Sequence, residues 1–587
     1  RHAPIRAARR DRLMTTGMLV ALMLAALAPR AVLGYRRAVL NSDAVFFVEQ
    51  AMALDRGDID DGLEKLGLNV YPFLLVGLHR AGLDWEVAGE LSSLAFSTLT
   101  IVPLFFWVCR LFDRRAAVAA CLLWACHIEA VEWGPVTIRD PLFWFEVNLS
   151  LFASLEAARR NALAWYVAAW TVIALAFLTR IEGALLTVPL VWWTLTLATS
   201  PQRLRSLARL CGAALAVPLV FVAINVTLLA GHHHWEWGRL AYGRIVYQWV
   251  ASACHTSTVA QPSPHAAATH DATGVGTDEP SLRRARSRAG VTKASSEMSL
   301  REMFWGYRHS LFWGVGPVYA ALIAVGLFRC NWRGRWRELL PLLLLSAAVL
   351  ACIWMYLWFY HDTTKRYAVT VVLPLLPLAA IGLRSVADAT SRAPRLAYTT
   401  IKSWTHMPTF TSVSRSDAAD HAIRVPPPRT TAGAPFRSEV RRAAPTCYAL
   451  LLSIGIVVPT CVALGDDYDS REMRAELGCW VADQFGRGRT LLCTEDLERL
   501  VGYYAGARHQ KIPREVTGPR IGEWVDRHRP ELIVLWLESP DPTAYDDFLR
   551  TADDHGYAEV DNALVPQDLG TVRVFTRRES RLAMRAR

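Results

Sequence analysis

The chain has 587 residues, of which 52% are hydrophobic and 20% charged, with a formal net charge of +11. That length excludes a single soluble core; the apolar residues gather in nearly uncharged runs of roughly 18 to 24, enough to cross ~30 Å of hydrocarbon. The positive balance does not indicate a nucleic-acid partner, because the arginines cluster at the ends of those runs, where a bilayer holds them.

Membrane spans are expected near residues 13–35, 89–109, 116–133, 141–157, 162–178, 182–198, 207–230, 311–328, 339–359, 367–386 and 446–464. This makes a multi-pass α-helical membrane protein with about eleven transmembrane helices. The apolar part of the first run is long for a secretory signal, so it is expected to stay. Arginine clusters at 1–12, 110–115, 159–160, 203–209 and 329–337 fall on one side if the spans alternate. By the positive-inside rule that side is cytoplasmic. Asp43, the 231–310 loop, the 360–366 loop and the carboxyl-terminal domain then lie on the outer side of the cell membrane.

After the first span comes Leu40-Asn41-Ser42-Asp43-Ala44-Val45-Phe46-Phe47, continuing to Asp58. It reads as a helix at the membrane surface, too short to cross, with a carboxylate at its start. Residues 57–72 read as a polar loop, in which Pro72 biases Tyr71 towards an extended backbone. Residues 73–83 read as a second interfacial helix. Between the third and fourth spans lies a charged hairpin with His127, Glu129, Glu132, Arg139 and Asp140; Arg180 and Glu182 join the fifth and sixth. Such charges beside a bilayer are costly unless paired or wet, and they are expected to converge near Asp43.

His232, His233 and His234 have no ligand partners at metal-binding spacing and read as surface histidines. Residues 256–300 read as disordered. The ninth and tenth spans are joined by Tyr360-His361-Asp362-Thr363-Thr364-Lys365-Arg366-Tyr367, and 391–444 reads as a flexible cytoplasmic loop before the last span at 445–465. From residue 466 strand-like and helix-like segments alternate, which indicates a small soluble α/β domain over 466–587. It has neither a Gly-rich phosphate loop nor a nucleophile elbow, and no catalytic role is assigned to it. Of the eleven cysteines, Cys479 and Cys493 lie in this domain, either as a disulfide or as two core thiols.

The run Asn41-Ser42-Asp43-Ala44-Val45-Phe46-Phe47, with Ala51-Met52-Ala53-Leu54 and Gly57-Asp58, resembles the first-loop motif of the GT-C membrane glycosyltransferases. The group it is most similar to is that of the protein O-mannosyltransferases and lipid A aminoarabinose transferases. The resemblance continues through Tyr71-Pro72, Glu90-Leu91-Ser92-Ser93-Leu94, Arg110-Leu111-Phe112 and Arg139-Asp140 to Lys365-Arg366-Tyr367, Pro374 and Pro377. It covers roughly residues 13–390. Protein O-mannosyltransferases usually carry paired acids where this chain has Ser42-Asp43, and relatives often have prolines where it has Asn69-Val70; both bear on the acceptor.

The resemblance implies transfer of a sugar from a polyprenyl-phosphate-linked donor to a glycan, lipid or protein acceptor. A phosphate ester leaves without a general acid, so the chemistry needs one base and cations for the phosphate, and a single displacement inverts the anomeric centre. Asp43 is the candidate base, its alternative being a helix N-cap. Lys365 and Arg366 are candidates to hold the donor phosphate, or else anchors at lipid headgroups. Arg139 and Arg180 are further phosphate candidates, set against pairing with Asp140 or Glu182. Glu129, Glu132, His127 and Tyr71 are substrate or metal candidates, with a divalent cation as the one possible cofactor. Two rival readings are a transporter or flippase of lipid-linked sugars and a non-catalytic membrane scaffold.

Overall fold

The computed structural model describes residues 2–36, 40–64, 67–197, 202–229, most of 305–360, 365–389, 469–494, 498–512, 516, 520–536, 545–560 and 572–578. The span expected at 446–464, the 391–444 loop, His232 to His234 and the 256–300 stretch lie outside them.

The membrane core is helical throughout. Its elements are α1 (His2–Arg36), α2 (Ser42–Asp55), α3 (Ile59–Glu64), α4 (Val70–Arg80), α5 (Trp85–Leu99), α6 (Ile101–Leu111), α7 (Arg114–Cys126) and α8 (Ile128–Glu132). After these come α9 (Asp140–Arg160), α10 (Leu163–Thr179), α11 (Thr187–Leu197), α12 (Arg203–Leu229), α13 (Pro317–Arg329) and α14 (Trp332–Tyr360). The last described core helix, α15, runs Tyr367–Ala389 with a 310 step at Leu373–Leu375. Among the described residues four helical runs are long and apolar enough to cross a membrane: Leu13–Arg36, Trp85–Leu111, Trp332–Leu357 and Tyr367–Ala389.

Two expectations need correcting. Residues 116–133 are not one span: α7 has 13 residues, about 20 Å at 1.5 Å per residue, and the chain leaves the helix at His127, which is extended (φ −67°, ψ 119°). Residues 57–72 are not a plain loop, since α3 and the first turn of α4 fall within them.

α9 is the central post, packing against α5, α6, α10 and α11. Its core contacts are aromatic: Trp144 meets Trp124 edge-on at 5.6 Å, and Trp107 donates its indole N–H to Asn148 at 3.0 Å. The 133–139 segment that precedes it lies tightly against α5. A Cβ on Gly89 would come within 2.2 Å of Thr137, and one on Gly134 within 2.8 Å of Ser97 Oγ. Only glycine permits that approach, and it sets where Trp133 and Arg139 stand.

One buried cation braces this region. Arg30 of α1 is fully buried; it donates to Ser97 Oγ at 2.7 Å and to the carbonyls of Trp124 and Ala125 at 3.1 and 3.2 Å. Those carbonyls belong to the last turn of α7, where positive charge is favourable; the Trp124 carbonyl also accepts from the His127 N–H at 3.3 Å. Arg30→Met is therefore expected to lower stability by about 2 kcal/mol, read as a lower unfolding temperature in detergent.

The carboxyl-terminal domain is α/β as expected. It consists of α16 (Asp469–Phe485), β1 (Thr490–Thr494), α17 (Glu498–Tyr504), β2 (Arg508–Ile512), α18 (Arg520–His528), β3 (Leu532–Trp536), α19 (Asp546–Thr551), β4 (Tyr557–Glu559) and β5 (Val572–Arg577). The sheet order is β2-β1-β3-β5-β4, parallel across β2, β1 and β3 and antiparallel across β5 and β4. Alternate residues feed two cores. Leu491, Cys493 and Val534 face Leu477, Val481 and Val501; Leu492, Ile533 and Phe575 face Ile521, Val525 and Phe548. Helices thus cover both faces, as period-two alternation between two apolar sides requires. Cys493 is buried in β1 and Cys479 is exposed on α16, so the two are not bridged.

Candidate active site

The site is assembled on α2. Asn41 enters it in the extended region (φ −88°, ψ 169°), and its Oδ1 accepts from the Ala44 N–H at 2.6 Å. Asn41 is therefore the N-cap, and Asp43 sits in the first turn with its carboxylate left for other contacts. The opposite side of α2 buries Ala44, Val45, Phe47, Val48 and Ala51 in a cluster with Tyr71 and Leu75 of α4.

Asp43 meets Arg366, which lies far along the chain at the start of α15. Arg366 Nη2 lies 2.7 Å from Asp43 Oδ2; the arginine side chain is 11% exposed and the aspartate 40%. Burial opposes the guanidinium charge, but Asp140 and Asp43 outweigh it and raise its pKa above the usual value. Its Nε is buried and has no hydrogen-bond acceptor among the described residues. The guanidinium stacks over Trp133 at 5.0 Å and near Tyr367 at 5.6 Å. Trp133 is oriented in turn by its indole N–H, which donates to Glu129 Oε2 at 3.1 Å.

Behind this pair lies a buried ionic group. Arg180 Nη1 is 2.5 Å from Asp140 Oδ1, and Nη2 is 2.7 Å from Glu182 Oε1. Its guanidinium also sits over the Tyr367 ring at 4.5 Å and the Phe143 ring at 5.6 Å. Arg180 thus follows the pairing alternative, with both neighbouring acids at once. Arg139 differs: its guanidinium lies over the Phe47 ring at 5.9 Å, and no ion pair with Asp140 forms. Lys365 is exposed beside Arg366.

The remaining candidates stand apart from this centre. Tyr71 is fully buried; its hydroxyl is 3.1 Å from Ser93 Oγ and its ring meets Phe47 edge-on at 5.4 Å. It joins α4 to α5 and α2, its large ring buried and its one polar atom hydrogen-bonded. His127 is 2% exposed and packs against Tyr319 at 4.7 Å. Glu129 is buried on Trp133 and Glu132 is half-buried. Among the described residues no three His, Cys, Asp or Glu side chains are grouped to hold an ion, His127, Glu129 and Glu132 included.

The structure therefore brings Asp43, Arg366, Arg180 and Arg139 to one place, as the converging charged hairpins suggest. It adds Trp133, Tyr367 and Phe47 as aromatic walls, and it makes Asp140 and Glu182, the pairing partners considered from the sequence, counter-charges of Arg180. A tryptophan inside the charged hairpin and a tyrosine following Lys365-Arg366 were the available signals. Chemically, a partly exposed carboxylate touches a cation whose Nε has no acceptor among the described residues, on an aromatic floor. Groups of these types are able to accept a proton and to hold an anion side by side.

Residues 70–226 match the family model for dolichyl-phosphate-mannose-protein mannosyltransferases. No curated protein matches the sequence. Among solved structures, the chain is similar to ArnT from Cupriavidus metallidurans in the apo state at 15% identity, over 97% of this chain and 99% of that one, with a TM-score of 0.51. ArnT bound to undecaprenyl phosphate is matched at 15% identity over 96% and 98%, with a TM-score of 0.45. The apo oligosaccharyltransferase of Archaeoglobus fulgidus is matched at 12% identity over 89% and 69%, with a TM-score of 0.46. The mannosyltransferase model thus covers residues 70–226, and the fold of the apo ArnT structure extends along nearly the whole chain.

Proposed function

We propose that the protein transfers a sugar from a polyprenyl-phosphate donor to an acceptor on the outer side of the membrane, inverting the anomeric centre, with Asp43 as base. The observation that carries this reading is the 2.7 Å contact between a 40% exposed Asp43 and an 11% exposed Arg366. The acceptor hydroxyl or amine gives its proton to Asp43 as its lone pair bonds to the anomeric carbon. The bond from that carbon to the phosphate oxygen breaks, and its electron pair leaves with the polyprenyl phosphate. The charge that gathers on the departing phosphate falls beside Arg366, whose Nε has no acceptor among the described residues, and beside Arg139. No second carboxylate is required, because the phosphate leaves unprotonated.

Arg180 is less suited to the phosphate, since both flanking acids already hold it. Its part is to keep Tyr367 and α15 in place. The outward-facing orientation follows from the arginine clusters at the cytoplasmic ends of the spans. Purified full-length protein in vesicles, given labelled polyprenyl-phosphate sugars and an acceptor extract, is expected to release polyprenyl phosphate and form a product of inverted configuration. Retention of configuration would overturn the single displacement. Movement of the lipid-linked sugar across the bilayer without any transfer would favour the transporter instead.

A further inference from the structure

Besides α4, α2 packs against α17 of the carboxyl-terminal domain. We propose that this domain positions the base, with Tyr504 of α17 holding the entry of α2 so that Asp43 stands opposite Arg366; this rests on the reading of Asp43 as the base.

The contacts run along two turns of α2. The Leu40 N–H donates to the Tyr504 hydroxyl at 3.2 Å. The next residue is the cap Asn41, bonded to Ala44, and Asp43 lies within the turn that this cap starts. Leu500 is 3% exposed and belongs to the same apolar cluster as Leu40, Val45, Val48 and Tyr71. Arg499 sits over the Phe46 ring at 5.5 Å, and His509 Nε2 is 3.6 Å from Glu49 Oε1. Tyr503 packs against the same cluster as Trp85, the first residue of α5, which extends the attachment to that helix.

The physical need for this clamp is local. Leu40 precedes the helix and is 3% exposed, so its N–H finds no partner within α2, and a buried amide without one is costly. The Tyr504 oxygen is that partner. Burial raises the Tyr504 phenol to about 12, so it is neutral at physiological pH and accepts without repelling Glu49 or Glu86. A helix of 14 residues has few restraints of its own, and a reacting group displaced by about 1 Å loses on the order of a hundredfold in rate.

The test is Tyr504→Phe in the full chain, which keeps the ring and removes the acceptor. A roughly tenfold fall in kcat is expected with donor KM unchanged, because transition-state alignment is lost, and the unfolding temperature should fall only by what one unpaired buried amide costs. Amide exchange across residues 40–48 should quicken while α9 and α10 keep their protection. On an Asp43→Asn background the substitution should cost nothing more, as residues acting as a unit are non-additive. Wild-type kcat together with wild-type exchange in α2, or a loss that multiplies with that of Asp43→Asn, would overturn the proposal. Full activity of Asp43→Asn alone would sink the base and leave the exchange measurement to decide whether Tyr504 holds α2.

Discussion

Asp43→Asn is expected to lower kcat about a thousandfold, within the range of general-base catalysis, with the protein still folded. The substitution is isosteric, and its amide oxygen still accepts from Arg366 Nη2, now 2.7 Å from Oδ2. The cap of α2 is Asn41, so the helix keeps its first hydrogen bond and loses only a charge near its amino end, about 0.3–1 kcal/mol. What disappears is the capacity to take the acceptor proton. The decisive measurement pairs initial rates at saturating donor with thermal unfolding of the same preparation. A variant within tenfold of wild type would remove Asp43 from the chemistry, whereas a large drop in unfolding temperature would reveal a structural role for the carboxylate.

The second large effect is on stability. Arg180→Met should cost about 3–5 kcal/mol, because it leaves Asp140 and Glu182 beside each other without the cation that holds both. Asp140 is 4% exposed and Arg180 6%, so water cannot readily take the place of the guanidinium. The rings of Tyr367 and Phe143 also lose the charge they face. The triple variant Arg180→Met, Asp140→Asn, Glu182→Gln removes the stranded charges and is expected to recover most of the stability but not the activity, since Tyr367 adjoins Arg366. Size-exclusion profiles and unfolding temperatures of the two variants provide the comparison. Equal instability in both would show that shape, not charge, is what Arg180 supplies.

The contact between Asp43 and Arg366 also leans on aromatic residues. Trp133 supports Arg366 from below and is itself fixed by Glu129. Glu129, a substrate or metal candidate in the sequence, accepts from the Trp133 indole. Tyr71, another such candidate, has its hydroxyl on Ser93, between α4 and α5. Motif position marks residues that a fold depends on without separating those that touch substrate from those that hold others.

Much of this protein was readable from its residues alone. Run length and the absence of charge determine which segments enter a bilayer. The cap-like Asn41-Ser42-Asp43 before an apolar stretch determines a helix starting there, and alternation after residue 466 determines an α/β domain with two apolar layers. These are properties of neighbours in the chain. The tertiary structure alone decided that Asn41 rather than Asp43 caps α2, that Arg180 takes both acids while Arg139 lies on Phe47, that His127 packs on Tyr319, and that Tyr504 reaches Leu40. Each of these is a choice between partners of similar chemistry, settled by which helices come to lie side by side, and the energy of an ion pair or a buried hydrogen bond depends on a few tenths of an ångström that sequence spacing does not carry.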